Sequence, residues 1–165
     1  MIGSPRRLEI WVPVVIVILD QLTKALIRST VPLHTSITVI PGLMDFTHVQ
    51  NTGAAFGILN ASDFRFKTAL IGLIAVAALA GVGMYAASLA RHEIMARVGL
   101  ALIIGGAAGN LVDRILIGSV VDFVDVYWRS HHFWAFNVAD SAITIGAAVM
   151  ILDMLGIGTH VSKTA

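Results

Sequence analysis

The stretch that decides the class of fold is TALIGLIAVAALAGVGMYAASLA, residues Thr68–Ala90, which contains no charged side chain. A helix that crosses a bilayer needs about 20 consecutive residues that are predominantly apolar. This stretch meets that requirement along its whole length. We therefore predict a membrane-spanning helix here, and we expect the rest of the chain to fold in and around a lipid bilayer.

Three further stretches are apolar enough to span a membrane, but each carries ionisable side chains. They lie near Ile10–Ile27, Val98–Ile117 and Phe136–Ile157. A charge at the centre of a spanning helix costs about 2.5–3.5 kcal/mol on insertion scales, so such residues are expected to serve a function. The sequence thus predicts an all-α integral membrane protein with four transmembrane helices, near residues 10–27, 68–90, 98–117 and 136–157.

The composition agrees with a bilayer as the solvent. Of 165 residues, 57% are hydrophobic and 13% are charged, against about 45–50% and about 25% in soluble domains. The net charge of +1 provides no basic field for nucleic acid. The absence of cysteine excludes disulfides, thiolate catalysis and cysteine-ligated metals. The length suits a single domain, residues 1–165.

Two loops complete the predicted architecture. The long loop between the first two helices contains Ile37–Ile40 and Leu43–Val49, separated by a Pro-Gly break, and this pattern predicts a small strand pair. The loop near Gly118–Ala135 is rich in aromatic side chains, which are typical of the headgroup level of a membrane. These aromatic residues are Tyr127, Trp128, Phe133 and Trp134.

Alternation of helix direction concentrates the polar residues on one face of the membrane. The ends of the first and third helices and the start of the fourth all meet there. This face receives Asp20, Lys24, Asp113, Arg114, Asp122 and Asp140. Lysine and arginine are slightly more numerous near the other face, which predicts that both termini are cytoplasmic.

Asp122 and Asp140 are the first candidates for catalytic residues, because the loop between them can return to the same depth. Two neighbouring carboxyls cannot both ionise easily, so one keeps its proton. The ionised carboxyl can take a proton from water while the protonated one polarises a peptide carbonyl. From spacing alone, a helix cap at Asp140 and an ordinary loop carboxylate at Asp122 are an alternative.

Asp20 and Lys24 are four residues apart on one helix face, in the favourable order for an ion pair. Such a pair either supports the site at its rim or snorkels to the membrane interface. On the third predicted helix, Asn110, Asp113 and Arg114 are spaced to point inward together. An arginine there binds a carbonyl or a headgroup, or balances the acids.

The other candidates are less specific. Gly105 and Gly109 have the small-xxx-small spacing of close helix packing. Asn51–Phe56, which includes Gly53, suits a tight turn. Asn137 either hydrogen-bonds beside Asp140 or satisfies free backbone groups at a helix start. The adjacent histidines at 131 and 132 form a poor metal site, because neighbouring side chains rarely converge on one ion.

Five stretches of this chain resemble motifs of the lipoprotein signal peptidase family, and they occur in the family's order. They are Asp20–Lys24, Asn51–Phe56, Gly105–Arg114, Val121–Phe123 and Phe136–Ser141. Each motif is modest alone, whereas five in order over nearly the whole chain are strongly specific.

The resemblance implies an aspartic endopeptidase that removes the signal peptide from diacylglyceryl-modified prolipoproteins, with Asp122 and Asp140 as its catalytic pair and no metal or cofactor. It implies a multi-pass protein of the bacterial inner membrane, with the site and a small β element on the extracytoplasmic side. We expect a monomer in contact with membrane lipids. The supporting residues would be Asp20, Lys24, Asn51, Gly53, Asn110, Asp113, Arg114 and Asn137.

Two alternatives belong to other functional classes. Intramembrane acids with a lysine and an arginine also mark proton-coupled transporters and channels. A transporter is expected to show polar groups through the full membrane depth or repeated halves, and neither pattern is present in this sequence. A purely structural membrane subunit would leave the buried charges without a purpose.

Overall fold

The computed structural model describes residues 5–53, 66–90 and 92–157 of the chain. It contains helices at each of the four predicted places. They are α1 (Pro5–Thr30), α2 (Lys67–Ser88), α3 (Ile94–Ile117) and α4 (Val138–Met154). The residues following Gly53 in the Asn51–Phe56 motif lie outside the described part.

Three of these helices are long and apolar enough to cross a membrane within the described residues: Arg7–Thr30, Ala69–Ser88 and Ile94–Ile117. The fourth helix, α4, has 17 residues, which corresponds to about 26 Å at the α-helical rise of about 1.5 Å per residue. That length is slightly below the hydrocarbon thickness of about 30 Å. The count of four spanning helices therefore stays a prediction.

The outer surfaces of the helices are apolar. Leu22, Leu73 and Ile115 are exposed by 63%, 66% and 72% of their surface, respectively. Side chains of this size gain from leaving water, and on a helix of spanning length they suit contact with lipid. Four polar side chains of α1 and α3, by contrast, are buried: Asp20, Lys24, Asn110 and Asp113.

The third helix lies at the centre and packs against the other three. Close approach depends on several glycines, including Gly105, where a β-carbon would lie 2.9 Å from Cα of Pro13 on α1. A β-carbon on Gly109 would lie 2.8 Å from Oδ2 of Asp20 on α1, and one on Gly106 would collide with the carbonyl oxygen of Ala139 on α4. The glycine spacing therefore serves packing, as predicted, and it also brings two helices of the candidate site against α3.

A four-stranded antiparallel sheet covers one end of the helices, with the order β1-β2-β3-β4. The strands are β1 (Ser36–Ile40), β2 (Met44–Asn51), β3 (Val120–Trp128) and β4 (His131–His132). The predicted strand pair is present as β1 and β2. The sheet is larger than predicted, because the stretch expected to be an aromatic loop forms β3 and β4, and Asp122 lies on a strand.

A small hydrophobic core joins the sheet to the end of α1. Ile27 and Val31 from the helix pack with Val121 and Phe123 from β3, and all four are buried. Because β-strand side chains alternate between faces, burying Val121 and Phe123 on this side turns the intervening Asp122 to the opposite side. The core therefore determines where the carboxyl points.

Candidate functional site

Asp122 is held between two amide side chains. Nδ2 of Asn137 donates to its Oδ1 over 2.8 Å, and Nδ2 of Asn51 donates to its Oδ2 over 3.1 Å. The carboxyl is almost fully buried. Each oxygen thus has a hydrogen-bond donor from a different element, and the orientation of the carboxyl is set from both sides.

Asp140 lies in the first turn of α4 and forms a capping box with the residue before the helix. Its main-chain N–H donates to Oδ1 of Asn137 over 2.9 Å, and its Oδ2 accepts from the main-chain N–H of Asn137 over 3.3 Å. Its other oxygen, Oδ1, accepts a 2.7 Å hydrogen bond from Nδ2 of Asn110. The helix-cap interpretation of Asp140 is therefore correct, and the same carboxyl also lies beside Asp122.

Asn137 connects the two aspartates, because its side chain donates to Asp122 and its main chain donates to Asp140. Its side chain is completely buried. The two functions weighed for this residue from sequence, hydrogen bonding beside Asp140 and completing the helix start, both occur. This connection holds β3 and the start of α4 together at the two aspartates.

The pKa of Asp122 is raised to about 7, mainly by burial and then by the nearby charge of Asp140, against the hydrogen bonds from Asn51 and Asn137. Desolvation disfavours the charged form of a carboxyl, and a second carboxylate nearby acts in the same direction. One proton can therefore stay on the pair at neutral pH, which is the condition for combined acid and base chemistry.

Behind the pair lies a cluster of buried polar residues that we call the Lys24 cluster: Asp20, Lys24, Asn110 and Asp113. The Lys24 ammonium nitrogen lies 2.8 Å from Oδ2 of Asp20 and 3.0 Å from Oδ2 of Asp113. It donates to Oδ1 of Asn110 over 3.0 Å. Both Asp20 and Lys24 are fully buried, so the snorkelling alternative is wrong and the pair lies behind the two aspartates.

Main-chain donors complete this cluster. Oδ1 of Asp20 accepts from the N–H of Ala139 on α4, and Oδ2 of Asp113 accepts from the N–H of Val121 on β3, each over 3.0 Å. These bonds attach the elements that carry Asp140 and Asp122 to α1 and α3. The buried acids therefore set the depth of both catalytic candidates.

Gln21 is a member of the site that the sequence reasoning missed. Its Nε2 donates to Oδ2 of Asp20, to Oδ1 of Asp113 and to the carbonyl oxygen of Gly109, over 3.1 to 3.2 Å. Gln21 lies inside the Asp20–Lys24 motif, and its place in that motif is the sequence feature that indicates a position in the site.

Arg114 attaches the segment after β2 to α3. It donates from Nη2 to the carbonyl oxygen of Gly53 over 3.1 Å and from Nη1 to that of Asn110 over 3.2 Å. The Gly53 N–H in turn donates to Oδ1 of Asn51 over 2.9 Å, which fixes the amide that faces Asp122. Of the functions considered for Arg114, carbonyl binding occurs within the chain itself.

The two adjacent histidines do not enter this site. Nδ1 of His132 lies 2.8 Å from Oδ2 of Asp125, and its ring stacks on Tyr127. Among residues 5–53, 66–90 and 92–157, no group of three potential metal-ligating side chains converges. His132 thus belongs to the outer part of the sheet.

Comparison with known proteins gives a consistent result. The family described as Signal peptidase (SPase) II matches residues 12–156. A lipoprotein signal peptidase of Geobacter metallireducens is 44% identical over 144 residues, which cover 87% of this chain and 88% of the relative. The lipoprotein signal peptidase of Pseudomonas aeruginosa strain PAO1 is 42% identical over 146 residues, which cover 88% of this chain and 86% of the relative.

Two solved structures described as bacterial membrane enzymes have the same fold. One superposes with a TM-score of 0.81 at 33% identity and covers 95% of this chain and 93% of its own. The other has a TM-score of 0.79 at 32% identity and covers 89% of this chain and 92% of its own. Together with the three helices of spanning length, these similarities identify a multi-pass membrane protein.

Proposed function

The chain belongs to the signal peptidase II family, and on that premise we propose that it is an aspartic endopeptidase that removes signal peptides from diacylglyceryl-modified prolipoproteins. Family membership makes it a protease of lipoprotein processing. The aspartic mechanism and the lipid-modified substrate are our proposal for this chain.

The observation that carries the proposal is the position of Asn137 between Asp122 and Asp140. The ionised carboxyl of the pair takes a proton from water, whose oxygen then attacks the scissile carbonyl carbon. The protonated carboxyl donates to the carbonyl oxygen. As the tetrahedral intermediate collapses, the C–N bond breaks and the leaving nitrogen takes up a proton from the pair. Such positioned acid and base groups typically each contribute a rate factor of about 10²–10⁴.

The surrounding residues position this pair. Asn51 and Asn137 orient Asp122, and Asn110 orients Asp140. Arg114 and Gly53 hold the Asn51 segment in place. Asp20, Lys24 and Asp113 form the buried floor of the site.

The location of the pair suits a substrate that lies in a membrane. It is near the end of α3 and the start of α4, under the sheet, and the outward faces of the helices are apolar. A site at this level can receive acyl chains sideways from the bilayer and still obtain water. We therefore propose a monomer of the bacterial inner membrane, with membrane lipids around it and the active site on the extracytoplasmic side.

The test is cleavage of a diacylglyceryl-modified prolipoprotein by the purified protein in detergent. Asp122→Asn and Asp140→Asn preserve the side-chain shape and remove the ionisable proton, so each is expected to abolish cleavage while the protein stays folded. The matched control is Asp153→Asn, which makes the same exchange near the far end of α4 and is expected to leave the rate unchanged.

A well-folded Asp122→Asn or Asp140→Asn variant with a near-normal rate would show that the pair is not catalytic. If the wild-type protein never cleaves the substrate, the proposed activity itself is wrong, and proton-coupled transport becomes the function to test.

A further inference from the structure

Lys24 is a fully buried lysine within a helix of spanning length. An ammonium group has three N–H donors and no acceptor. Its three close oxygens, on Asp20, Asp113 and Asn110, match those donors one to one. A buried charge is stable only when it is paired and hydrogen-bonded in this way.

Asn110 connects Lys24 to the aspartate pair by hydrogen bonds. Because an ammonium group can only donate, the oxygen Oδ1 of Asn110 must face Lys24, and the nitrogen Nδ2 must face Asp140. That nitrogen makes a 2.7 Å hydrogen bond to Oδ1 of Asp140. An amide whose oxygen is bound to a cation is polarised and becomes a stronger donor.

The two aspartates are therefore in unequal surroundings. Asp140 receives the polarised amide and lies in the first turn of α4, where the helix dipole favours a negative charge. Asp122 lies on a β-strand and also accepts two amide hydrogen bonds, from Asn51 and Asn137, but no cation contacts the oxygen of either amide among the described hydrogen bonds and ion pairs.

We propose that Lys24 is a positioning residue that acts through Asn110 to keep the negative charge of the pair on Asp140 and the proton on Asp122. In the reaction, Asp140 then takes the proton from water and Asp122 donates to the scissile carbonyl. The inference rests on the proposed function and assigns the two chemical roles within it.

The charges around the pair agree with this assignment. The charged groups of the pair and the Lys24 cluster, with the arginines that interact with them, are Asp20, Lys24 and Arg28 on α1, Asp113 and Arg114 on α3, Asp122 on β3 and Asp140 on α4. From β2 the neutral Asn51 contacts the pair. The three cations balance Asp20, Asp113 and a single further negative charge, so the cluster is neutral when the pair holds one proton.

The experiment measures kcat/KM against pH for wild type and Lys24→Met. Loss of the cation disfavours ionisation of the pair, so the alkaline limb of the profile is expected to move upward by about one pH unit. Because Lys24 is buried and cannot touch substrate, kcat is expected to fall while KM stays the same.

A second variant keeps the test usable if Lys24→Met does not fold. Asp20→Asn/Lys24→Gln removes one charge of each sign, so it leaves fewer unpaired charges than Lys24→Met. At Asp140 the charge of Asp20 opposes that of Lys24, so removing both charges is expected to give a smaller upward shift. The control is Arg97→Met, which breaks the ion pair with Glu9 near the opposite end of α3 and is expected to lower stability without moving the profile.

Cleavage by wild type in the same assay tests the proposed function separately from this inference. If wild type is inactive, the dependence of the melting temperature on pH for wild type and Lys24→Met reports the same titration without turnover. The inference is overturned if folded Lys24 variants keep the wild-type alkaline limb, or if the limb moves to lower pH. Failure of both Lys24 variants to fold would overturn it too, since Lys24 would then be purely structural.

Discussion

Nδ2 of Asn137 lies 2.8 Å from Oδ1 of Asp122, and this hydrogen bond joins the residue before α4 to the middle of the buried part of β3. The oxygen of the same side chain caps α4 by accepting from the N–H of Asp140. One side chain thus performs a stabilising task and a positioning task, and substitution can separate them.

Asn137→Ser is expected to keep the stability and lose the rate. Serine is as good a helix cap as asparagine, but its shorter side chain has no group at the position of Nδ2, from which Asn137 donates to Asp122. We expect a melting temperature close to wild type and a kcat/KM that is lower by about 10- to 100-fold, or about 1.4–2.7 kcal/mol. Asn137→Ala is expected to lose about a further 1 kcal/mol of stability with the cap. A serine variant with the wild-type rate would contradict the positioning task.

The pH profile follows from the environment of Asp122. Burial, followed by the charge of Asp140, raises its pKa to about 7. If catalysis requires one proton on the pair, kcat/KM is highest well below that pH, is halved at about pH 7 and falls to about a tenth of its highest value at pH 8. The measurement is the initial rate of cleavage between about pH 5 and about pH 9 at constant ionic strength. This range includes the titration of the aspartate pair. A rate that stays constant to pH 9 would contradict this prediction.

Asp122→Asn is expected to remove a loss of stability that the folded wild-type protein suffers as pH rises. The pKa of Asp122 is raised from 3.8 to about 7 in the folded state, so the folded protein binds this proton more tightly than the unfolded chain does. The free energy of unfolding of wild type is therefore highest below both pKa values and declines as pH rises to about 7, by up to about 4 kcal/mol.

The asparagine variant cannot ionise and lacks that decline. Its gain in melting temperature over wild type should therefore increase from pH 4 to pH 8 and then level off. Asp153→Asn is the control. Its difference in melting temperature from wild type should not increase from about pH 4 to about pH 8. A gain in melting temperature that becomes smaller as pH rises would show that ionisation of Asp122 does not destabilise the folded protein.

Gly109→Ala tests the close packing behind the site. The new methyl group would lie 2.8 Å from Oδ2 of Asp20, and overpacking of this kind typically costs about 1–3 kcal/mol. Lower stability and slower cleavage are expected together, because Asp20 holds Lys24 and the N–H of Ala139.

The matched control for this prediction is Gly81→Ala in the middle of α2. A β-carbon there meets nothing within 4 Å, and alanine favours a helix over glycine by about 0.5–1 kcal/mol. This variant should be as stable as wild type or more stable, with an unchanged rate. Equal losses in the two alanine variants would show that the packing against Asp20 is unimportant.

Several features of the site were predictable because they depend on local sequence. Uninterrupted apolar stretches of about 20 residues are stable as helices in a bilayer, so the helix at 68–90 was evident from composition alone. The i,i+4 spacing put Asp20 and Lys24 on one helix face. The break at Pro41 indicated the turn between β1 and β2.

Other features depend on contacts between residues far apart in the sequence. The strand that carries Asp122 is not recognisable from local sequence, because its identity as a strand comes from pairing with β2, and β propensity depends on that context. Gln21 was overlooked because its partners lie about 90 residues away on α3.

The sequence by itself determined that this protein belongs in a membrane and where its helices lie, because apolar length is a local property, and the family resemblance of its motifs selected Asp122 and Asp140 as the catalytic candidates. The tertiary structure alone decided that Lys24 is buried rather than snorkelling, that Asn137 contacts both aspartates, and that Asp122 and Asp140 have unequal surroundings. Burial and hydrogen-bond partners arise only when separate helices and strands pack together, and they set the electrostatics of a site.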